Sequence, residues 1–223
     1  MDMFEIMKSR HSVRQYKDIV LRTDVLTPLQ QEIDACNNEG NLHIQLIANE
    51  PKAFDGFMAH YGKFSGVQNY IALIGKGKDL DEKAGYYGER IALKAQELGL
   101  NTCWVAMTFG KGAAKKKCGI GPGEKMTCVL ALGYGATQGV AHKSKEMSAL
   151  CSVGGTMPEW FRAGMEAAML APTAMNQQKF MITLNGENAV SIKNLGGFYS
   201  KIDLGIVKYH FELGSGKENF RWE

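Results

Sequence analysis

No stretch of this chain is apolar for the roughly 20 residues that a bilayer-spanning helix needs. Its first residues are acidic and polar, with no apolar signal core. The expectation is a soluble, cytoplasmic protein. Cysteine is scarce and shows no pairing pattern. The five, Cys36, Cys103, Cys118, Cys128 and Cys151, are odd in number and include no CxxC; most sit in apolar surroundings such as Met126-Thr127-Cys128-Val129-Leu130. Reduced thiols in an interior fit this better than a disulfide frame or a zinc site. His43, His60 and His210 stand alone, without metal-ligand spacing. No GxSxG or Cys-His arrangement marks a nucleophile. Gly119-Ile120-Gly121-Pro122-Gly123 fails as a dinucleotide fingerprint, because proline intrudes and no strand-to-helix context surrounds it. A net charge of +3 is too mild to make nucleic acid the main partner.

What remains is a globular composition, 45% hydrophobic and 22% charged over 223 residues. That length suits one large domain or two small ones. Hydrophobic spacing predicts helices over 2–8, 24–36, 80–98, 111–117, 158–170 and 199–212, the last stopped by Gly214. It predicts strands at 42–47, 70–74, 102–106, 126–132 and 180–184, with a final strand at 220–222. Residues 136–156 read as a polar, glycine-bearing linker or ligand loop. Lys115-Lys116-Lys117 reads as a solvated helix face, and the twelve methionines as core fillers. The fold class is α+β.

Two passages echo each other. Helix, polar loop and strand run through 28–47 and again through 158–184. Helix, Leu-Gly and strand run through 87–104 and again through 199–222, with Glu97-Leu98-Gly99 matched by Glu212-Leu213-Gly214. Such repetition would give two similar halves about a pseudo-two-fold axis. The order helix, Leu-Gly, strand is also common without duplication.

Three runs carry hydrogen-bonding chemistry. Ser9-Arg10-His11-Ser12-Val13-Arg14-Gln15-Tyr16 sets guanidinium forks beside shorter donors, as a phosphomonoester would require. Alone it equally describes a solvated basic turn. Lys143-Ser144-Lys145 adds a second basic pair, or a charged linker. In Ala171-Pro172-Thr173-Ala174-Met175-Asn176-Gln177-Gln178, proline stops a helix before small residues and amides that can pair with the edge of a flat heterocycle. An ordinary loop would explain Pro172 but not Asn176 and Gln178.

Together these runs resemble the FMN-dependent nitroreductase family. The segment 9–16 is similar to its Arg-Arg/His-Ser-Val-Arg-x-Phe run, and 171–178 to its Ala-Pro-Ser-x-x-Asn-x-Gln run. Leu98-Gly99-Leu100-Asn101-Thr102-Cys103-Trp104-Val105 resembles its Leu-Gly-Leu-Gly-Thr-Cys-Trp-Ile strand; Leu132-Gly133-Tyr134-Gly135 and His142-Lys143-Ser144-Lys145 resemble the strand end and basic run that follow. The order differs: the family places the Asn-x-Gln run soon after the Arg run, where this chain has Cys36-Asn37-Asn38-Glu39-Gly40-Asn41. Lys179-Phe180 replaces the family's Pro-Trp.

The resemblance implies a nitroreductase-like mixed or antiparallel sheet flanked by helices, as a fused pseudo-dimer. Residues 1–145 would form a first half with the phosphate runs, and 146–223 a second half with the Asn-bearing loop. It implies FMN as cofactor. Arg10, Ser12, Lys143 and Lys145 would hold its phosphate with His11 and Arg14 nearby; Pro172, Thr173, Ala174 and Asn176 would line the isoalloxazine; Trp104, Val105 and Ala106 would offer backbone groups. The implied activity is a ping-pong transfer of electrons from NAD(P)H to a nitroaromatic, quinone or similar small acceptor, in a monomer that imitates the dimer or in a homodimer. The alternative is a flavin-binding, storage or sensing protein without turnover. No side chain is singled out as a catalytic acid or base.

Overall fold

The computed structural model describes residues 2–223. The chain forms two compact units. One comprises residues 9–80 and 90–141, the other 2–8, 81–89 and 142–223.

The first unit is built on an antiparallel sheet of β1 (Gln45–Ile47), β2 (Asn69–Gly75), β3 (Asn101–Val105) and β4 (Lys125–Gly133), in the order β1-β2-β4-β3. Every residue of β2 is buried, and all but two of β4. Both faces of these strands are therefore covered, which is why they read as continuous apolar runs rather than alternating ones. Tyr70, Ala72, Val129, Ala131, Cys103 and Val105 belong to one buried cluster with Phe54, Phe64 and Phe109. Phe54 packs edge-on to Phe64 at 5.2 Å and stacks on Phe109 at 6.2 Å, arrangements that aromatic quadrupoles favour.

Helix α2 (Thr23–Gly40) runs further than its apolar spacing predicts. Residues 36–41, where the family pattern is lost, are its last turn and its cap. Asn41 takes the left-handed conformation (φ 49°) and donates its N–H to Asn37 O, a role open to asparagine because αL costs it less than most residues. The Asn37 side chain then donates to Ile44 O at 2.9 Å and accepts from Ile44 N at 2.6 Å, fixing the entry into β1. A short helix α3 (Phe57–Tyr61) precedes β2 and was not expected from the sequence. Helix α4 (Leu80–Glu97) ends as predicted, at Gly99, whose φ of 79° suits glycine. Arg90 in α4 bridges to Glu32 and Glu39 of α2. Helix α5 (Lys111–Lys117) lies where the lysine run predicts it.

The second unit holds a mixed sheet of β5 (Cys151–Val153), β6 (Phe180–Asn185), β7 (Ala189–Asn194) and β8 (Arg221–Trp222). β5 pairs parallel to β6, β6 antiparallel to β7, and β7 parallel to β8. Its helices are α1 (Met3–Ser9), α6 (Glu159–Ala168), α7 (Ser200–Ser215) and the first half of α4. Trp160, Phe161, Phe211, Phe220 and Trp222 make a continuous aromatic cluster, with Trp160 and Phe220 stacked at 5.9 Å.

Helix α7 corrects one expectation. Gly214 does not stop it; the helix continues to Ser215 and is closed by Gly216 (φ 75°), which donates to Glu212 O. A Cβ on Gly214 would lie 2.5 Å from Ala163 O. Gly214 is there so that α6 and α7 can touch.

Candidate functional site

In the first unit the basic run is an extended segment beside β3. Ser12 bridges Thr102 in parallel, and Val13 N donates to Thr102 O at 3.0 Å. Tyr16 N donates to Ser65 O, and Ala136 N to Gln15 O. The Tyr16 hydroxyl donates to Val13 O at 2.7 Å. Val13 and Tyr16 are core, and Arg10 is only 3% exposed. The run is therefore no solvated turn: Arg10, Val13 and Tyr16, every third residue, are buried, while Arg14 and Gln15 are exposed.

Within the run Arg10 is buried, Ser12 half-buried and Arg14 exposed. Burial raises the Cys103 thiol above its ordinary value, while the Arg14 charge, a hydrogen bond with Ser12 and the Arg10 charge pull it down. Beside Ser12, the Thr102 hydroxyl is buried with no hydrogen-bond partner among the described residues. Guanidinium and hydroxyl donors, the kind this run carries, are the chemistry that suits a dianionic phosphate. The loop after β4 crosses close by, since a Cβ on Gly139 (φ 70°) would meet His11 Cβ at 2.8 Å. Trp104 and Val105 end β3, opposite Leu130 and Val129, and Ala106 follows half-buried.

In the second unit the two remaining runs come together. Lys143 O accepts from Asn176 Nδ2 at 2.9 Å and from Gln178 Nε2 at 2.8 Å. Gln178 Oε1 accepts from Lys145 N at 2.8 Å. Lys145 Nζ donates to the carbonyls of Gln177 and Gln178, both at 2.9 Å. His142 Nε2 and Ser144 Oγ face Met169 O. The 142–145 run is thus a strap along the 169–178 segment. Its Lys145 ammonium is spent on carbonyls, and the Lys143 side chain is exposed.

The strapped loop has an unusual backbone. Thr173 is extended, and Met175, Asn176 and Gln178 all have positive φ (51°, 54° and 45°). Pro172, Thr173 and Ala174 are half-buried, while Met175 and Asn176 are exposed. Two residues outside the flavin-site set expected from the sequence hold it. Gln178, 4% exposed, is the hub just described; its place in the Asn-x-Gln motif was the available signal. Asp203, on α7, accepts from Ala174 N at 2.9 Å and from Gln177 Nε2 at 2.7 Å. Nothing in the sequence marks it, because an acidic residue in the first turn of a helix is ordinary.

Burial raises the Asp203 carboxyl to about 6, against the opposing pull of the Gln177 amide and the Ala174 N–H. The charged groups of the packed elements are engaged elsewhere or outward-lying. Glu82 pairs with Lys208, Glu89 with His210, and Lys145 with its carbonyls; Lys179 and Lys201 are exposed. A carboxyl whose folded value lies above its unfolded one favours the fold when protonated. Its contribution is complete below about pH 4 and is lost as pH rises through about 6. In urea titrations from pH 4 to pH 7, Asp203→Asn is expected to lack that part of the slope; an unchanged slope would count against the assignment.

A family model described as "Putative TM nitroreductase" matches residues 2–215. Among solved structures, one described as "a putative nitroreductase" from Thermotoga maritima MSB8 is similar over 96% of this chain and 83% of its own, at 21% identity and a TM-score of 0.65. A "Putative NADH dehydrogenase/NAD(P)H nitroreductase" from Parabacteroides distasonis ATCC 8503 matches 67% of this chain and 96% of its own, at 16% identity and a TM-score of 0.54. A nitroreductase family protein from Streptococcus pneumoniae TIGR4 matches 65% and 96%, at 13% identity and a TM-score of 0.51. At these identities the likeness is one of fold. No curated protein matches the chain at a significant level. With its model spanning nearly the whole sequence, the chain belongs to this nitroreductase family, whose members generally bind flavin, and family and fold point to flavin-dependent oxidoreduction.

Proposed function

We propose that the protein is an FMN-dependent oxidoreductase that passes electrons from NAD(P)H to small electron-poor acceptors such as nitroaromatics or quinones. The observation that carries this reading is the run Arg10–Arg14, tied beside β3 by the Ser12–Thr102 bridge and the Val13 N–Thr102 O hydrogen bond, whose guanidinium and hydroxyl donors are chemically suited to a phosphate. Like-folded proteins named for NADH or NAD(P)H support the choice of reductant. A bound flavin supplies the hydride chemistry, which belongs to the cofactor rather than to the chain.

The chain's residues bind and orient. Arg10, Ser12 and Arg14, with His11 beside them, hold the phosphate; Lys143 adds positive charge, and Lys145 acts by strapping the loop. Pro172, Thr173, Ala174 and Asn176 present backbone and amide groups to the flat ring. Trp104, Val105 and Ala106 contribute backbone at the end of β3. The proposed stoichiometry is a single flavin per chain.

The purified protein is expected to be yellow and to release FMN on heating. Ser12→Ala with Arg14→Ala removes two phosphate donors, each worth about 1.5–3 kcal/mol if charge-assisted. FMN affinity should therefore fall by roughly ten- to a hundredfold per donor. A colourless protein that FMN cannot reconstitute would sink the reading, and unchanged affinity in the double variant would sink the phosphate assignment. Flavin retained without NAD(P)H consumption in the presence of a quinone would favour a storage or sensing protein.

A further inference from the structure

We propose that Asp203 is the positioning residue of the isoalloxazine loop: one buried carboxylate grips residues 174 and 177 and holds the turn between them in a conformation it would not adopt alone. This rests on the reading that Pro172–Asn176 faces the flavin.

The loop cannot owe its shape to intrinsic preference. Left-handed backbone costs a non-glycine residue about 1–2 kcal/mol, and three such residues, Met175, Asn176 and Gln178, fall within four positions. Strain of this kind persists only where surroundings impose it. The strap acts through Lys143 and Lys145 on Asn176, Gln177 and Gln178. Beyond the turn's own bonds to Thr173 and Ala174, Asp203 accepts from Ala174 N at the start of the turn, and it also takes the Gln177 side chain. Its two oxygens thus span Met175 and Asn176.

The chemistry requires a carboxylate. Gln177 Nε2 donates both to Asp203 Oδ2 and to Phe198 O at 2.8 Å, so the orientation of that amide is fixed by two acceptors. Gly197 (φ 107°) locks it further. A Cβ there would lie 2.2 Å from Gln177 Oε1, so only glycine lets the 195–199 turn press on the amide. Asparagine at 203 keeps the shape but offers an NH₂ to a partner that is already a donor. Either the Ala174 contact or the Gln177 contact must break, and turning the Gln177 amide over would forfeit Phe198 O.

A general structural role and a positioning role predict different signatures. Burial disfavours the ionised Asp203 in the folded chain, so a neutral residue should leave thermal stability at pH 7 equal or higher. The loop should nevertheless loosen. If the competent turn is then populated about a tenth of the time, FMN binds roughly tenfold more weakly.

The test is Asp203→Asn, with Gln177→Leu as a second variant that removes the grip from the other side. Amide hydrogen exchange of the apoprotein at Ala174 and Asn176 is measured first, then FMN affinity and melting temperature. Expected are faster exchange at both amides and weaker FMN binding in both variants, without a fall in melting temperature for Asp203→Asn. Wild-type exchange at Ala174 and Asn176 in both variants would overturn the proposal. So would weakened FMN binding only in proportion to a lost melting temperature. A wild-type protein that takes up no FMN would instead overturn the functional reading, while exchange in the apoprotein would still decide the role of Asp203.

Discussion

Replacing His210 by phenylalanine is expected to cost about 3–5 kcal/mol of unfolding free energy, the range for breaking a buried ion pair from one side. His210 and Glu89 are both fully buried, with side-chain exposures of 0%. His210 Nδ1 lies 3.1 Å from Ala167 O and Nε2 lies 3.0 Å from Glu89 Oε1. A carbonyl can only accept, so Nδ1 carries a proton. One further proton lies between Nε2 and the carboxylate, wherever it resides. The pair therefore ties α7 to α4 and, through Ala167, to α6, both side chains being wholly buried. Phenylalanine fills the volume but takes the imidazole from the Glu89 oxygen. Glu89→Leu makes the complementary error. The double variant His210→Phe/Glu89→Leu removes both and should recover most of the loss, because a well-packed apolar pair is often neutral or better than a buried ionic one. Urea unfolding of the three variants closes the cycle. Losses that simply add would mean that the two side chains do not act as a pair.

That pair shows where sequence reading stops. His210 has no metal-ligand spacing and no obvious motif, so an isolated core histidine is a fair description of it. Its partner lies 121 residues away, and no periodicity reports on that distance. The elements whose burial is carried by their own composition were legible: β2, β4 and α4 fall within a residue or two of their predicted bounds, and so does the exposed, lysine-rich α5. Strand β5 was not, since Cys151-Ser152-Val153 is two half-buried residues about an exposed serine, inside a polar stretch, and owes its pairing to β6. Strand β7 had a readable signal, Gly186 before the alternation of Val190 and Ile192; the hairpin turns over residues 186–188, with Gly186 at φ 66° and Asn185 paired to Ala189. The site residues divide in the same way. Donor type was legible at Arg10, Ser12 and Arg14. What each donor contacts was not: Lys145 reads as a phosphate ligand by charge, yet its ammonium serves two carbonyls across 32 and 33 residues.

The helix crossing at Gly205 sets two effects of opposite sign against each other. In a helix interior, alanine is better than glycine by about 1 kcal/mol, so Gly205→Ala should stabilise α7 if only α7 mattered. A Cβ at 205 would, however, stand 1.9 Å from Glu82 O and 2.6 Å from Tyr86 N. The contact is reciprocal, because a Cβ at Gly85 would stand 2.0 Å from Ile202 O. These neighbours are backbone, and no rotamer change can relieve them. The helices must part, and the α4–α7 interface with its Lys208–Glu82 pair must part with them. Overpacking of a core commonly costs about 1–3 kcal/mol when side chains can adjust; here they cannot, so a loss at or above the top of that range is expected in thermal or urea unfolding. Gly112→Ala is the control. It lies inside α5, and a Cβ there meets nothing within 4 Å, so the same substitution should be neutral or stabilising by up to about 1 kcal/mol. Equal effects at the two positions would mean that helix propensity, not the crossing, decides Gly205. Asp203 sits two residues earlier on α7, so a parted crossing has a second readout. Faster amide exchange at Ala174 in Gly205→Ala would show the displaced helix carrying its carboxylate away from the loop.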